Sequence, residues 1–215
     1  MGATIDEIIV ADPPEAWAAA GFSVDDDGVS RIGSVRVRLV GRDHGKRIVG
    51  WSLRDTAGSL DADSLDGLPT TASDAPPAAP AAHPNGATHI DHVVVLSPAV
   101  DRTAKAIEGL GVPARGERAT DTYGAPMRQV FFRLGEVILE LVGSPGVQGE
   151  GDPGFFGLAI AVGDLAHART LLGDHLGDTK DAVQPGRQIA TLRHRELGMS
   201  VATALMSPEP RDKAG

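Results

Sequence analysis

An eleven-residue string occurs twice in this chain. RIGSVRVRLVG at residues 31–41 aligns without a gap on RLGEVILELVG at 133–143, with six of eleven positions identical. A second matched string precedes each copy, IDEIIV at 5–10 and IDHVVV at 90–95. The separation between the strings is 17 residues shorter in the first copy (102 between the later strings, 85 between the earlier ones), so the first copy is an abbreviated form of the second. Such repetition confines the chain to architectures assembled from one recurring supersecondary unit.

In each copy an apolar strand leads into an Ala-rich helical stretch and then a hairpin whose turn holds Gly33 or Gly135. The C-terminal third repeats the plan faintly. GLAIAVGDL at 157–165 reads as a buried strand entering a helix over 165–176, with Asp164 as N-cap, and QIATLRH and MSVATALM read as two further strands meeting near Gly198. The unit is therefore strand-helix-strand-strand-strand, given once in degraded form over 1–56 and twice over 88–207: an α+β fold. Between Ala72 and Pro84, ten of thirteen residues are Ala or Pro, too little apolar periodicity to offset ordering entropy. Residues 57–87 are thus expected to be a mostly irregular linker, and 208–215 a frayed tail.

The chain has no cysteine, which excludes disulfides, thiolate metal sites and cysteine nucleophiles and leaves His and carboxylate as metal ligands. With 29 acidic against 20 basic side chains, nucleic acid is not the expected partner. No apolar run approaches the roughly 18 residues of a membrane span, and a soluble cytoplasmic protein is expected.

Strand alternation locates a candidate site. With a two-residue turn at Gly135-Glu136, Val130, Phe132, Leu134, Val137, Leu139 and Leu141 form an apolar face for the helix. Gln129, Phe131, Arg133, Ile138, Glu140 and Val142 face the other way. On the preceding strand His92, Val94 and Leu96 share that second face, so His92 and Glu140 are expected to be neighbours. In the abbreviated copy Glu7 takes the place of His92 and Arg38 that of Glu140, which predicts an ion pair.

The repeated plan, with IDHVVV and VILELVG, resembles the vicinal oxygen chelate superfamily of glyoxalases, epimerases, extradiol dioxygenases and resistance proteins. The resemblance implies paired βαβββ modules curved into a cup-shaped mixed sheet, with the N-terminal copy an extra degenerate module. It implies His92 and Glu140 as ligands of a divalent metal (Zn, Ni, Mn, Fe or Co), Glu140 alternatively as a catalytic base, a small-molecule ligand, and pairing into homodimers. The second module departs from the pattern, with Gly157 at the place of His92 and Thr203 at that of Glu140. A His92–Glu140 hydrogen bond without metal explains the pair equally well. Gln129, Phe131, Arg133, Gly157, Thr203 and the lone tyrosine, Tyr123, complete the candidate ligand-binding set. Two functional classes remain open: a metal-dependent isomerase, lyase or dioxygenase acting on a small oxygenated substrate, and a metal-free protein that binds or sequesters a small molecule.

Overall fold

The computed structural model describes residues 2–56, 60, 65–121 and 124–209. It contains two mixed sheets. The smaller is built from β1 (Thr4–Val10), β2 (Val29–Ile32), β3 (Val35–Leu39), β4 (Ile48–Arg54) and β5 (Thr70–Ala72), in the order β2-β3-β1-β4-β5, with the short helix α1 (Pro14–Ala19) following β1. The larger has eight strands: β6 (Ala87–Leu96), β7 (Ala114–Thr120), β8 (Met127–Leu134), β9 (Val137–Gly143), β10 (Gly154–Val162), β11 (Lys180–Asp181), β12 (Gln188–Thr191) and β13 (Ala202–Met206). Helix α2 (Val100–Glu108) follows β6 and α3 (Leu165–Leu172) follows β10. The order β11-β12-β13-β10-β6-β9-β8-β7 is two βαβββ modules joined antiparallel through their first strands.

Pairing extends the repeat beyond what the two strings show. In strand direction and neighbourhood, β2-β3-β1-β4-β5 matches β8-β9-β6-β10-β13. Strand β4 therefore stands where β10 begins the second module. The smaller sheet is a reduced copy of the whole larger one. Even the irregularities recur: Asp6 on β1 and Asp91 on β6 are the extra residues of matching bulges, as are Val49 on β4 and Phe156 on β10. A bulge turns two consecutive side chains toward one side, which brings an acidic residue out of an otherwise apolar run.

The abbreviated copy lacks, among the described residues, a counterpart of β7. The Ala/Pro segment lies there instead, along the outer edge of β2. Ala78 N donates to Ser34 O (3.1 Å) and Ala81 N to Arg31 O (3.1 Å). An extended chain with few free donors is a suitable cover for a strand edge, since it satisfies that edge without offering another. The expected linker is thus a strap, with the three-residue β5 within it. The end of α3 is also corrected: the helix stops at Leu172, because Gly173 turns to positive φ (53°). Its N-cap is Asp164, whose side chain accepts from Ala166 N and His167 N. Of the tail, only residues 208 and 209 are described.

His83 fastens the end of the strap. Its Nδ1 accepts from Ser23 N (3.0 Å), so its proton must sit on Nε2, which donates to Arg31 O (3.1 Å). Burial, with the Arg31 charge adding to it, pushes the imidazole below its ordinary pKa; the Arg31 carbonyl and Asp25 oppose this less strongly. Lowering pH below about 6.5 then protonates the unfolded chain before the native one. Stability is expected to fall by at most about 1.4 kcal/mol per pH unit from this site between neutral pH and pH 5. Denaturant titrations of wild type and His83→Gln check it: equal slopes in both proteins would rule His83 out.

The two sheets share one hydrophobic core. Ile8, Val37 and Trp51 of the smaller sheet join Val93, Val95, Leu139 and Leu141 of the larger. The Trp51 ring meets Phe155 edge-on at 5.1 Å between centroids. Helix α2 buries Val100, Thr103 and Ile107, the i, i+3, i+7 stripe of an amphipathic helix. Among the described residues no helix is long and apolar enough to cross a membrane.

Candidate functional site

Alternation along β6, β8 and β9 brings the expected polar residues onto one face. Parallel pairing sets His92 opposite Ile138 and Val94 opposite Glu140, and His92 Nε2 lies 3.7 Å from Glu140 Oε2. In the abbreviated copy the same register sets Ile9 opposite Arg38, and Arg38 Nε meets Glu7 Oε2 at 2.9 Å. At 3.7 Å the His92–Glu140 contact is longer than a hydrogen bond.

Each partner is held from behind. Glu140 Oε1 accepts from Gln129 Nε2, and Gln129 Oε1 accepts from Arg118 Nε (2.8 Å) and Nη2. The Arg118 guanidinium lies 5.7 Å from the centre of the Phe131 ring. On the other side, His92 Nδ1 meets Asp91 Oδ2 at 2.9 Å, and Asp91 Oδ1 accepts from Arg187 Nη1 at 2.5 Å. Asp91 and Arg187 are both buried. Burial alone raises the Asp91 carboxyl; hydrogen bonds and charge from His92 and Arg187 outweigh it and hold the group below the ordinary aspartate range. An ionised Asp91 places a proton on His92 Nδ1 and leaves Nε2 to face Glu140.

The cluster opens into a cleft of about 460 Å³ lined by His92, Arg118, Gln129, Phe131 and Glu140, with residues 181–185, from the end of β11 onward, also in its wall. A smaller crevice of about 150 Å³ adjoins it at His92, with Val94, Phe156, Gly157, Ala159, Ala202, Thr203 and Ala204 in its walls. Gln129, Phe131, Gly157 and Thr203 thus lie around the pair. Arg133 does not: its exposed side chain folds back to donate from Nε to Gly135 O (2.8 Å), because the hairpin turn is nearer than the cleft. Tyr123 lies outside the described residues. Gly157 serves packing, since a Cβ there would run into Ala202 O on β13. Gly157→Ala is expected to cost about 2 kcal/mol as β13 is pushed outward; an unchanged denaturation midpoint would contradict this.

Asp91, Arg118 and Arg187 were not legible as site residues. Asp91 had a signal, since IDEIIV and IDHVVV both place an Asp before the aligned Glu7 or His92. The two arginines had none, being brought in by β7 and by the loop before β12.

The donor set does not suit a resident metal of the kind the resemblance implies. Zn, Mn, Fe, Co or Ni sites take three or more protein donors, and His92 and Glu140 are two. Gly157 offers none, and the Thr203 hydroxyl is turned to Val201 O (3.1 Å). Among the described residues no group of three or more His, Asp and Glu side chains is placed to hold an ion.

Two βαβββ modules pairing through their first strands into one mixed sheet is the arrangement that the resemblance to the vicinal oxygen chelate superfamily implies. No family model matches the sequence, and no curated relative matches it. Solved structures do. A triple mutant of 4-hydroxymandelate synthase from Streptomyces coelicolor superposes with a TM-score of 0.68 at 17% identity, over 100% of this chain and 95% of that one. Catechol 2,3-dioxygenase gives 0.57 at 12% identity, over 100% and 90%. A fusion of a xylose isomerase-like TIM barrel with 4-hydroxyphenylpyruvate dioxygenase gives 0.60 at 13%, over 100% of this chain and 50% of that one. At these identities the likeness is one of fold.

Proposed function

We propose that the cleft moves a proton between neighbouring carbon and oxygen atoms of a small oxygenated organic acid, an isomerase or lyase type of reaction. The observation that carries this reading is the pair of unbonded atoms, Glu140 Oε2 and His92 Nε2, facing each other at 3.7 Å with every other polar atom of the two side chains already engaged. Gln129 occupies Glu140 Oε1, which leaves Oε2 as the base. It takes a proton from the carbon beside a carbonyl, the C–H electron pair becomes the new carbon–carbon π bond, the carbonyl π pair moves onto oxygen, and a proton carried on His92 Nε2 passes to that oxygen. Asp91 fixes the ring through Nδ1 so that Nε2 faces the substrate, and Arg118 supplies positive charge for the acid group. Two acid–base atoms this far apart match the separation of a C–H and a C=O on adjacent carbons.

The two-donor set favours this over oxygen activation, which needs a redox metal firmly held. The second reading, a sequestering protein, is favoured by the open apolar crevice beside His92. Exchange of the C3 protons of 2-oxo acids with D2O, followed by NMR, separates them. Wild type is expected to accelerate exchange, and His92→Ala and Glu140→Gln to lower it at least about 100-fold with the fold retained. Binding without exchange would favour sequestration, and stoichiometric metal lost in both variants would restore the metal reading.

A further inference from the structure

The geometry points to a substrate with an apolar tail of up to about six carbons, attached beside the reacting carbon and lodged in the crevice next to His92. This inference rests on the proposed proton-transfer reading of the same site. His92 lines both the polar cleft and the crevice, so a molecule whose acid group lies toward Arg118 and whose reacting carbon lies at Glu140 has the crevice as the continuation of its path. Of the ten residues that line the crevice only His92, Thr191 and Thr203 carry polar side chains. The Thr203 hydroxyl is spent on Val201 O.

Exposure at and beside the crevice is the independent observation: Phe156 lines it, and Leu96 follows the lining residue Val94 by two positions on the same strand. Phe156 and Leu96, two of the exposed large apolar side chains of the chain, are 40% and 41% accessible. They lie on adjacent strands β10 and β6, and Leu96 pairs with Gly154. Phe156 is the extra residue of its bulge, so Phe156 and Gly157 both line the crevice while Phe155 stays buried in the core. Its counterpart in the abbreviated copy is Val49. An apolar rim around an apolar floor, continuous with a polar site, is what an amphipathic small molecule covers. The size follows from the volume: about 150 Å³ holds a group of benzene's bulk.

Straight-chain 2-oxo acids from pyruvate to 2-oxododecanoate, whose tails beyond the reacting C3 run from none to nine carbons, titrated calorimetrically into the full chain, test this. Kd is expected to fall about fourfold per added methylene until the tail reaches about six carbons, and then level off. Ala204→Leu, which fills the floor, and Phe156→Ser, an exposed change that leaves packing intact, are each expected to flatten that dependence, with melting temperatures confirming the fold. Affinity independent of tail length overturns the inference and leaves the proton-transfer reading standing. A length dependence unchanged in both variants also overturns it, by placing the tail elsewhere. Failure of every acid to bind overturns both.

Discussion

Asp91→Asn is expected to remove about 3 kcal/mol of stability and to abolish proton exchange at the same time. The two effects have different causes. Arg187 is 4% exposed and Asp91 7% exposed, so neutralising the aspartate strands a guanidinium away from water, and breaking one side of a buried pair typically costs about 3–5 kcal/mol. The asparagine retains one acceptor oxygen, which is expected to stay with Arg187 and lower the loss toward the bottom of that range. The amide nitrogen then faces His92 Nδ1 with a donor where a carboxylate oxygen was, and the ring must change tautomer or turn. For a chain of this size 3 kcal/mol is a fall in melting temperature of roughly 6–12 °C. Calorimetry and D2O exchange on one preparation measure both effects. A variant that is destabilised yet exchanges normally would show that Asp91 only neutralises Arg187, as Asp6 does for Arg36 and Arg54 at the matching bulge of the abbreviated copy.

The second large effect is expected from Asp12→Ala, far from the cleft. Asp12 has no exposed surface. Its carboxylate accepts from Ser200 N (2.8 Å), Ser200 Oγ (2.6 Å) and Trp17 Nε1 (3.2 Å), and Arg42 Nη1 lies 2.9 Å away. One side chain thus joins the loop after β1 to the strand-entry segment before β13. Removing it leaves buried donors from both parts unsatisfied, while Arg42, being half-exposed, can turn to water. The expected loss is about 3 kcal/mol, read by urea denaturation. The exposed pair Arg31–Asp25 serves as control, because its removal is expected to change stability by less than about 1 kcal/mol. Equal effects in the two variants would mean that the Asp12 cluster does not bind the two sheets together.

The alternation of VILELVG and the repeat with RIGSVRVRLVG contain the hairpins, the shared face of Gln129, Phe131 and Glu140, and the pairing of Glu7 with Arg38. A strand's side chains face alternate sides whatever else the chain does, so period-two information is local and survives without tertiary context. His92 beside Glu140 follows from the same rule, once two strands are known to be neighbours.

Tertiary structure decided the rest. Whether Arg133 or Arg118 entered the cleft depended on which lay nearer a competing acceptor, and Arg133 found the Gly135 carbonyl first. Asp91 joined His92 on one side because antiparallel pairing of β6 with β10 places an extra residue there, and a bulge belongs to a pair of strands rather than to either sequence. Arg187 reached Asp91 across 96 residues of chain, and the Ala/Pro strap found the edge of β2 that a missing strand had left open. The sequence alone therefore determined the repeating unit and the two faces of its strands, which depend on backbone geometry. Which polar atoms meet, and which edge needs covering, depended on chain segments distant in sequence satisfying one another's charges and hydrogen bonds where water is excluded.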